Sequence, residues 1–434
     1  MDKAIKGRLE TIRDYEFIEG YKSTEIGLLP TDWSVIKLSD ITEEITQTAG
    51  TDSYETVSIS AGIGFVNQAV KFGKELSGKQ YEKYTVLQKG DFSYNKGNSN
   101  KDPQGCIYRL KDRKVAAVPN VFESFRVINQ CAEYYDQLFI SGFLNKQLAR
   151  MINHGVRDDG LLNLTAADFY SCILPLPPLN EQQQIAQILE YCDHVIELYE
   201  EKADKYRQLK RTCLSKMFPQ KGNQIPEWRF PGFTDDWEQR KLGDITVKIG
   251  SGKTPLGGKN AYIDKGTPLI RSQNINNDRV NFDDVVFIDD ATDNSMENSR
   301  VHTNDVLLNI TGASIGRSAV YRGLENANVN QHVCIIRPIN SYISGFIQLN
   351  LISDNGQQQI ESSQAGGGRE GLNFQQIGKM QFMFPTKGEQ EQIVAYFNHL
   401  DHLIILHQRE ADECKRFKQA LTRLLLTGIV RVNK

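Results

Sequence analysis

The segment EQQQIAQILEYCDHVIELYEEKAD (181–204) returns 208 positions later as EQEQIVAYFNHLDHLIILHQREAD (389–412). Carried on to Phe218, the alignment holds eleven identities in 38 positions, from Glu181/Glu389 and Gln182/Gln390 through Asp193/Asp401 and His194/His402 to Lys210/Lys418. Two further landmarks repeat upstream. TDWSVIKLSDIT (31–42) matches DDWEQRKLGDIT (235–246), and GLLNLT (160–165) matches EGLNFQ (370–375). A repeat of this length makes the chain two copies of one supersecondary plan. The ends of the two copies agree and their middles do not, which predicts one frame carrying two different bodies.

Each repeated segment follows a proline-bearing stretch, LPLPPLNEQ or FPTKGEQ, which suits a helix start. Each then runs roughly 35 residues without Pro or Gly, about 50 Å of helix at ~1.5 Å per residue. Apolar residues recur at heptad spacing: Ile185, Cys192, Tyr199, Tyr206 and Cys213 in the first, Ile393, Leu400, Cys414 and Leu421 in the second. The residues expected to pair the helices are Ile185, Ile188, Leu189, Val195 and Ile196, with Ile393, Tyr396, Phe397, Leu403 and Ile404. In the first helix the acids (Glu181, Glu190, Asp193, Glu197) precede the bases (Lys205, Arg207, Lys210, Lys216). That polarity favours antiparallel packing, where an acidic half meets a basic half. Two solvated surface helices that never meet are the plainer alternative.

The expected fold class is therefore α+β: two globular bodies with twisted β-sheets, separated by two long helices forming an antiparallel coiled coil, with a pseudo-twofold internal repeat. The expected boundaries are an N-terminal extension (1–20), body one (21–178), a central spacer helix (179–220), body two (221–386) and a C-terminal spacer helix (387–434). Short β-like runs such as VLQKGDFSYN (86–95), CIYRL (106–110), NDVLLNITG (304–312) and HVCIIRP (332–338) fill the bodies. Helix candidates SGFLNKQLARMIN (141–153) and SGFIQLNLIS (344–353) stand near their ends.

Net charge is −3, so any nucleic-acid footprint must be local. The seven cysteines are scattered without a CxxC pair, and no apolar run reaches the ~18 residues of a membrane span. MDKAIKGRLETIRDYEF has no apolar core, so it does not read as a secretory signal, and a reduced intracellular protein is expected. GSGKT (250–254) resembles the end of a phosphate-binding loop, but Val247 stands where the pattern needs Gly and Pro255 opposes the helix that should follow. It reads as an ordinary loop, as does GGG at 366–368. No Asn/Asp-Pro-Pro-aromatic tetrapeptide of an adenine methyltransferase occurs. His399, His402 and His407 lack the Cys or Glu partners of a zinc site and read as structural or surface histidines. Trp33 and Trp237 read as packing anchors.

The bodies do carry polar, glycine-punctuated segments: SYNKGNSNK (93–101), RSQNINNDR (271–279), NITGASIGR (309–317) and NVNQH (328–332). Asn and Gln can pair with adenine and Arg with guanine in the major groove, while Ser, Thr, Lys and backbone amides suit phosphate. Composition alone favours ordinary polar loops.

Together, the two EQxxI…D-H…A-D helices, the DWxxxKLxDI lead-ins, and RSQNI, NITGASIGR and NVNQHV make the chain resemble the specificity subunit of Type I restriction–modification systems. The resemblance covers nearly all of the chain except about twenty N-terminal residues. It implies two target-recognition domains, each reading one half of a split double-stranded DNA site, and helices that set the half-site spacing. A helix of about 50 Å covers about fifteen base pairs at ~3.4 Å per step. It also implies two modification (methyltransferase) subunits docked on those helices, restriction (motor and nuclease) subunits further out, and a cytoplasmic, bacterial setting. No cofactor is implied in this chain: S-adenosylmethionine belongs to the methyltransferase, and ATP and Mg to the restriction subunit. The residues expected to face DNA are Arg271, Gln273, Asn274, Thr311, Ser314, Arg317, Asn330 and Gln331 in body two, and Tyr94, Asn95, Lys96 and Asn98 in body one. Body one lacks an NITGASIGR equivalent. A non-catalytic role is expected, against two alternatives: a coiled-coil adaptor that reads no DNA, or a stand-alone methyltransferase or nuclease.

Overall fold

The computed structural model describes residues 19–432 except 75–77, 98–101, 153–161, 221, 324–325 and 365–370. It divides into two compact units, one taking the chain up to Tyr199 and from Glu410 onward, the other Glu200–Arg409.

The repeated segments are single helices, Leu179–Lys216 and Lys387–Leu426. In each unit, half of one packs antiparallel against half of the other. In the first unit, Lys418 Nζ meets Asp193 at 2.5 and 2.6 Å, and Ile185, Ile188 and Leu189 share a core with Leu421, Leu425 and Leu426. In the second, Lys210 Nζ meets Asp401 Oδ1 at 2.7 Å, Tyr206 stacks on His407 at 5.6 Å, and Ile393, Tyr396 and Phe397 pack with Cys213, Met217 and Phe218. Ile196 is buried, and Val195, Leu403 and Ile404 are half-buried. The apolar stripe is wider than a coiled-coil seam because it also closes the core of each body.

The lead-in segments become strands that pair antiparallel with the strand before each long helix: Ser34–Lys37 with Ile173–Leu176, and Glu238–Lys241 with Gln381–Phe384. Trp33 and Trp237 are fully buried beside them. Trp33 Nε1 donates to Glu181 Oε2 at 2.9 Å, and Arg431 closes on Glu181 and Asp32. In the second unit Arg229 grips Glu389 through two bonds of 2.7 and 2.8 Å. The glutamine shared by the two helix starts has one task done twice. Gln182 accepts from Cys131 N at 3.1 Å and donates to Pro177 O at 2.9 Å; Gln390 accepts from Ile343 N at 3.1 Å and donates to Pro385 O at 2.9 Å. Each therefore caps the helix that opens just beyond, Ala132–Ile140 or Ser344–Ile352.

The two helix candidates that begin Ser-Gly-Phe do not correspond. Ser141 closes a helix while Ser344 opens one, so Ser344–Ile352 answers to Ala132–Ile140 and not to 141–153.

The bodies share a scaffold that their sequences hide. Body one holds a four-stranded antiparallel sheet in the order Thr42–Glu44, Glu123–Val127, Phe92–Asn95, Cys106–Arg109. Body two repeats it as Thr246–Ser251, Val333–Pro338, Val306–Asn309, Ser318–Val320. Even one arginine brace on a buried aspartate is common to both. Arg126 donates Nε and Nη2 to Asp91, and Arg337 donates Nε and Nη2 to Asp305. Each Asp also accepts a backbone N–H three residues upstream, from Gln88 or His302, at 2.7 Å.

Candidate nucleic-acid interface

In body two the polar segments converge at strand ends. A second sheet, Val286–Ile288, Thr267–Ile270, Ala327–Val329 and Arg300–Val301, pairs Thr267–Ile270 parallel to Ala327–Val329. RSQN and NVNQH thus leave the sheet side by side, and Asn330 N bonds Ile270 O at 3.1 Å. Ile310 N bonds His332 O at 3.0 Å, and Asn309 Nδ2 bonds Ser272 O at 2.9 Å, which brings NITGASIGR to the same end. Leu372 N joins through Ile310 O at 2.9 Å.

GSGKT joins them as well. Gly252 N lies 3.3 Å from Asn330 O, and a Cβ on Gly252 would stand 1.6 Å from Val329 O. Only glycine lets the loop lie this close. Lys253 and Thr254 then emerge exposed, and Thr254 Oγ1 donates to Gln331 Oε1 at 2.6 Å. Neither residue figured among the sequence expectations. The phosphate-loop pattern failed there, and the glycine's real partner is distant in sequence. With exposed Lys259 and Lys265, Lys253 makes 250–265 locally basic in a chain of net charge −3.

The expected contact residues divide by burial. Gln273, Arg317 and Gln331 are exposed, and Arg271, Thr311, Ser314 and Asn330 are half-buried on the same loops. Asn274 is a correction: it is fully buried and holds the loop together. Its Nδ2 donates to Asp284 Oδ1 at 2.7 Å, and its Oδ1 accepts from Arg271 N at 3.0 Å. Asp284 is the hub of this segment, since Gln273 Nε2 also donates to it at 2.5 Å and Arg271 Nη2 donates to its backbone O at 2.7 Å.

Body one places Asn95 and Lys96 half-buried at the end of Phe92–Asn95, where body two has Asn309 and Ile310. Leu162 N bonds Lys96 O at 2.9 Å just as Leu372 N bonds Ile310 O. Asn95 and Lys96 therefore stand where NITGASIGR begins in body two, a counterpart that the sequence does not reveal. Lys96 Nζ pairs with Glu123 at 2.5 Å. Tyr94 is the second correction. It is fully buried, stacks on Phe169 at 4.5 Å and donates to Gln104 O at 2.7 Å. Desolvation pushes its phenol well up. Strand alternation turns it inward. Asn98 lies outside the described residues.

Among the described residues no group of three His, Cys, Asp or Glu side chains could hold a metal ion, and no helix is long and apolar enough to cross a membrane.

Two unlike sets of polar loops on one duplicated scaffold, framed by paired helices, define a two-domain recognition protein. The chain belongs to the family of the Type I restriction modification DNA specificity domain, matched twice, over residues 30–206 and 234–416. It is 24% identical over 95% of its length to the putative MjaX specificity subunit of Methanocaldococcus jannaschii, covering 97% of that protein. It is 26% identical over 56% of its length to the EcoBI specificity subunit of Escherichia coli, covering 54% of that one. Among solved structures, the S subunit from M. genitalium aligns with a TM-score of 0.57 and 13% identity, over 91% of this chain and 96% of that one. A chain of a type I R-M system aligns at 0.54 with 19% identity, over 93% and 99%. At such identities the likeness bears on the fold alone.

Proposed function

We propose that this chain is the DNA sequence-specificity subunit of a Type I restriction–modification complex. Each body reads one half of a bipartite, asymmetric site. The observation that carries the reading is the four-stranded scaffold used twice with dissimilar loops at equivalent strand ends. A duplicated frame suits two half-sites, as paired readers suit repeated ones. Dissimilar loops suit halves of different sequence.

On this reading Arg317, Gln273 and Gln331 meet base edges or phosphates from body two, with Asn95 and Lys96 in their place in body one. Lys253 and its neighbouring lysines draw the backbone in, a contribution that salt screens. The paired helices dock two methyltransferase subunits, and restriction subunits join through them. The chain is non-catalytic: S-adenosylmethionine resides on the methyltransferase, ATP and Mg on the restriction subunit, and the complex works in the cytoplasm.

The test is methylation of a randomised DNA library by this chain with its modification subunit. A split motif modified on both strands supports the reading. Assembly of the complex without any sequence-selective methylation would leave only the adaptor reading, and methylation by the chain alone would make it an enzyme.

A further inference from the structure

Four side chains from three separate loops form one hydrogen-bonded chain at the reading end of body two. Thr254 Oγ1 donates to Gln331 Oε1 at 2.6 Å. Gln331 Nε2 lies 3.0 Å from His332 Nε2, and His332 Nδ1 lies 2.5 Å from Thr311 Oγ1. The amide nitrogen can only donate, so His332 Nε2 accepts from it. In that arrangement His332 Nδ1 donates to Thr311 Oγ1. The reverse arrangement, with Nε2–H donating to the amide oxygen and Thr311 donating to Nδ1, requires the amide, the ring proton and both hydroxyls to change together. The Gln331 amide therefore cannot turn over independently of Thr254 and His332. Yet Gln331 is exposed, so one amide hydrogen and one oxygen lone pair remain free in fixed positions.

We propose that Thr254 and His332 are positioning residues for Gln331, holding its amide in place at the DNA surface and coupling its orientation to their own. This rests on the reading that Gln331 faces a base. A free glutamine amide can turn over and satisfy either of two donor–acceptor patterns on a base edge. A glutamine held from both sides can present the other pattern only if its partners reverse with it, and so discriminates. The GSGKT segment thereby has a task unrelated to nucleotide binding: Gly252 lets the loop approach Val329, and Thr254 completes the clamp.

The experiment uses the full chain assembled with its methyltransferase subunit and measures methylation rates on substrates varied singly across the half-site read by body two. Thr254→Val keeps the size of the side chain and removes the hydroxyl. It should lower the cognate to near-cognate ratio about tenfold at one base position, the same one that Gln331→Ala relaxes. Thr254→Ser should restore the ratio, and His332→Leu should reproduce the loss. A merely structural role would lower rates at every position together, and that outcome overturns the proposal. If Gln331→Ala relaxes one position while Thr254→Val and His332→Leu leave it sharp, the positioning role falls and the DNA-reading function stands. If Gln331→Ala changes no position, Gln331 is not a reader and the proposal falls with it. Thermal unfolding of each variant separates these results from failure to fold.

Discussion

Lys418 Nζ lies 2.5 Å from Asp193 Oδ1, and the same pair recurs with roles exchanged between helices as Lys210 and Asp401 at 2.7 Å. The second lysine also meets Asp278 of body two at 2.9 Å, so it balances two carboxylates while only 10% of its side chain is exposed. Burial alone would lower the Lys210 ammonium's pKa, but Asp278 and Asp401 outweigh burial and raise it. A raised lysine contributes stability in full below the ordinary lysine range and loses it only as pH climbs through the folded value. The Lys210 lock is therefore closed at neutral pH.

Removing either lysine leaves acid groups partly buried without a cation. Lys418→Met and Lys210→Met should each cost about 1–3 kcal/mol, with Lys210→Met the larger because two acids lose their partner. Exchanging the charges, Asp193→Lys with Lys418→Asp, should recover most of the loss. The corresponding exchange of Lys210 and Asp401 should recover less, because Asp278 would then face a new aspartate. Denaturant unfolding in a double-mutant cycle measures both, and equal recovery in the two cycles would refute the role given to Asp278.

Gln182 and Gln390 each accept a backbone N–H at the start of a body helix. Substituting either with Ala strands that donor and the proline carbonyl, so each variant should lose about 1–3 kcal/mol, and by similar amounts. Glutamate would keep the acceptor but place a charge against Pro177 O or Pro385 O, so it should rescue only in part. Unfolding midpoints decide, and a neutral Ala variant at either position would contradict the cap.

Gly252→Ala forces a Cβ to within 1.6 Å of Val329 O, whereas a Cβ on Gly250 meets nothing within 4 Å. Gly252→Ala should displace the loop and weaken sequence-selective DNA binding about tenfold or more, and Gly250→Ala should be close to neutral. Fluorescence anisotropy of the assembled complex on labelled DNA checks the contrast. Equal behaviour of the two variants would remove GSGKT from the interface.

Burial pushes the Cys172 and Cys334 thiols up to about 12, and both are fully buried. Their reactive thiolates are therefore negligible at neutral pH. Iodoacetamide should leave these two unmodified in the folded protein and label them after unfolding, as read by peptide mass spectrometry. Native labelling of either would contradict the packing around it.

The frame was legible because repetition exposes it. Two copies of Glu-Gln, Trp and Asp…Lys persisted, and each proves to hold elements of its own unit together, by burial for the two Trp and by bonds such as Gln182 to Cys131 and Asp193 to Lys418. The kinship of the bodies was not legible. Inward strand positions ask only for apolar volume, so Phe92 and Val306 serve the same place without resembling each other. The brace of Asp91 with Arg126 and of Asp305 with Arg337 escaped notice because its partners lie far apart in sequence and at different spacings. Polar composition picked out the loops that converge at one end of body two but could not tell an exposed side chain from a strut. Asn274 and Tyr94 are struts, one spent on Asp284 and the other folded onto Phe169. Thr254 lies in GSGKT, which its departure from the phosphate-loop pattern made read as an ordinary loop.

The most direct test of the account replaces body two, residues 221–386, with that of a family relative and maps adenine methylation by the assembled complex on genomic DNA. The account predicts a split motif in which one half changes to the donor's and the other stays as in the parent. A motif that changes in both halves, or in neither, would contradict two independent readers on one frame.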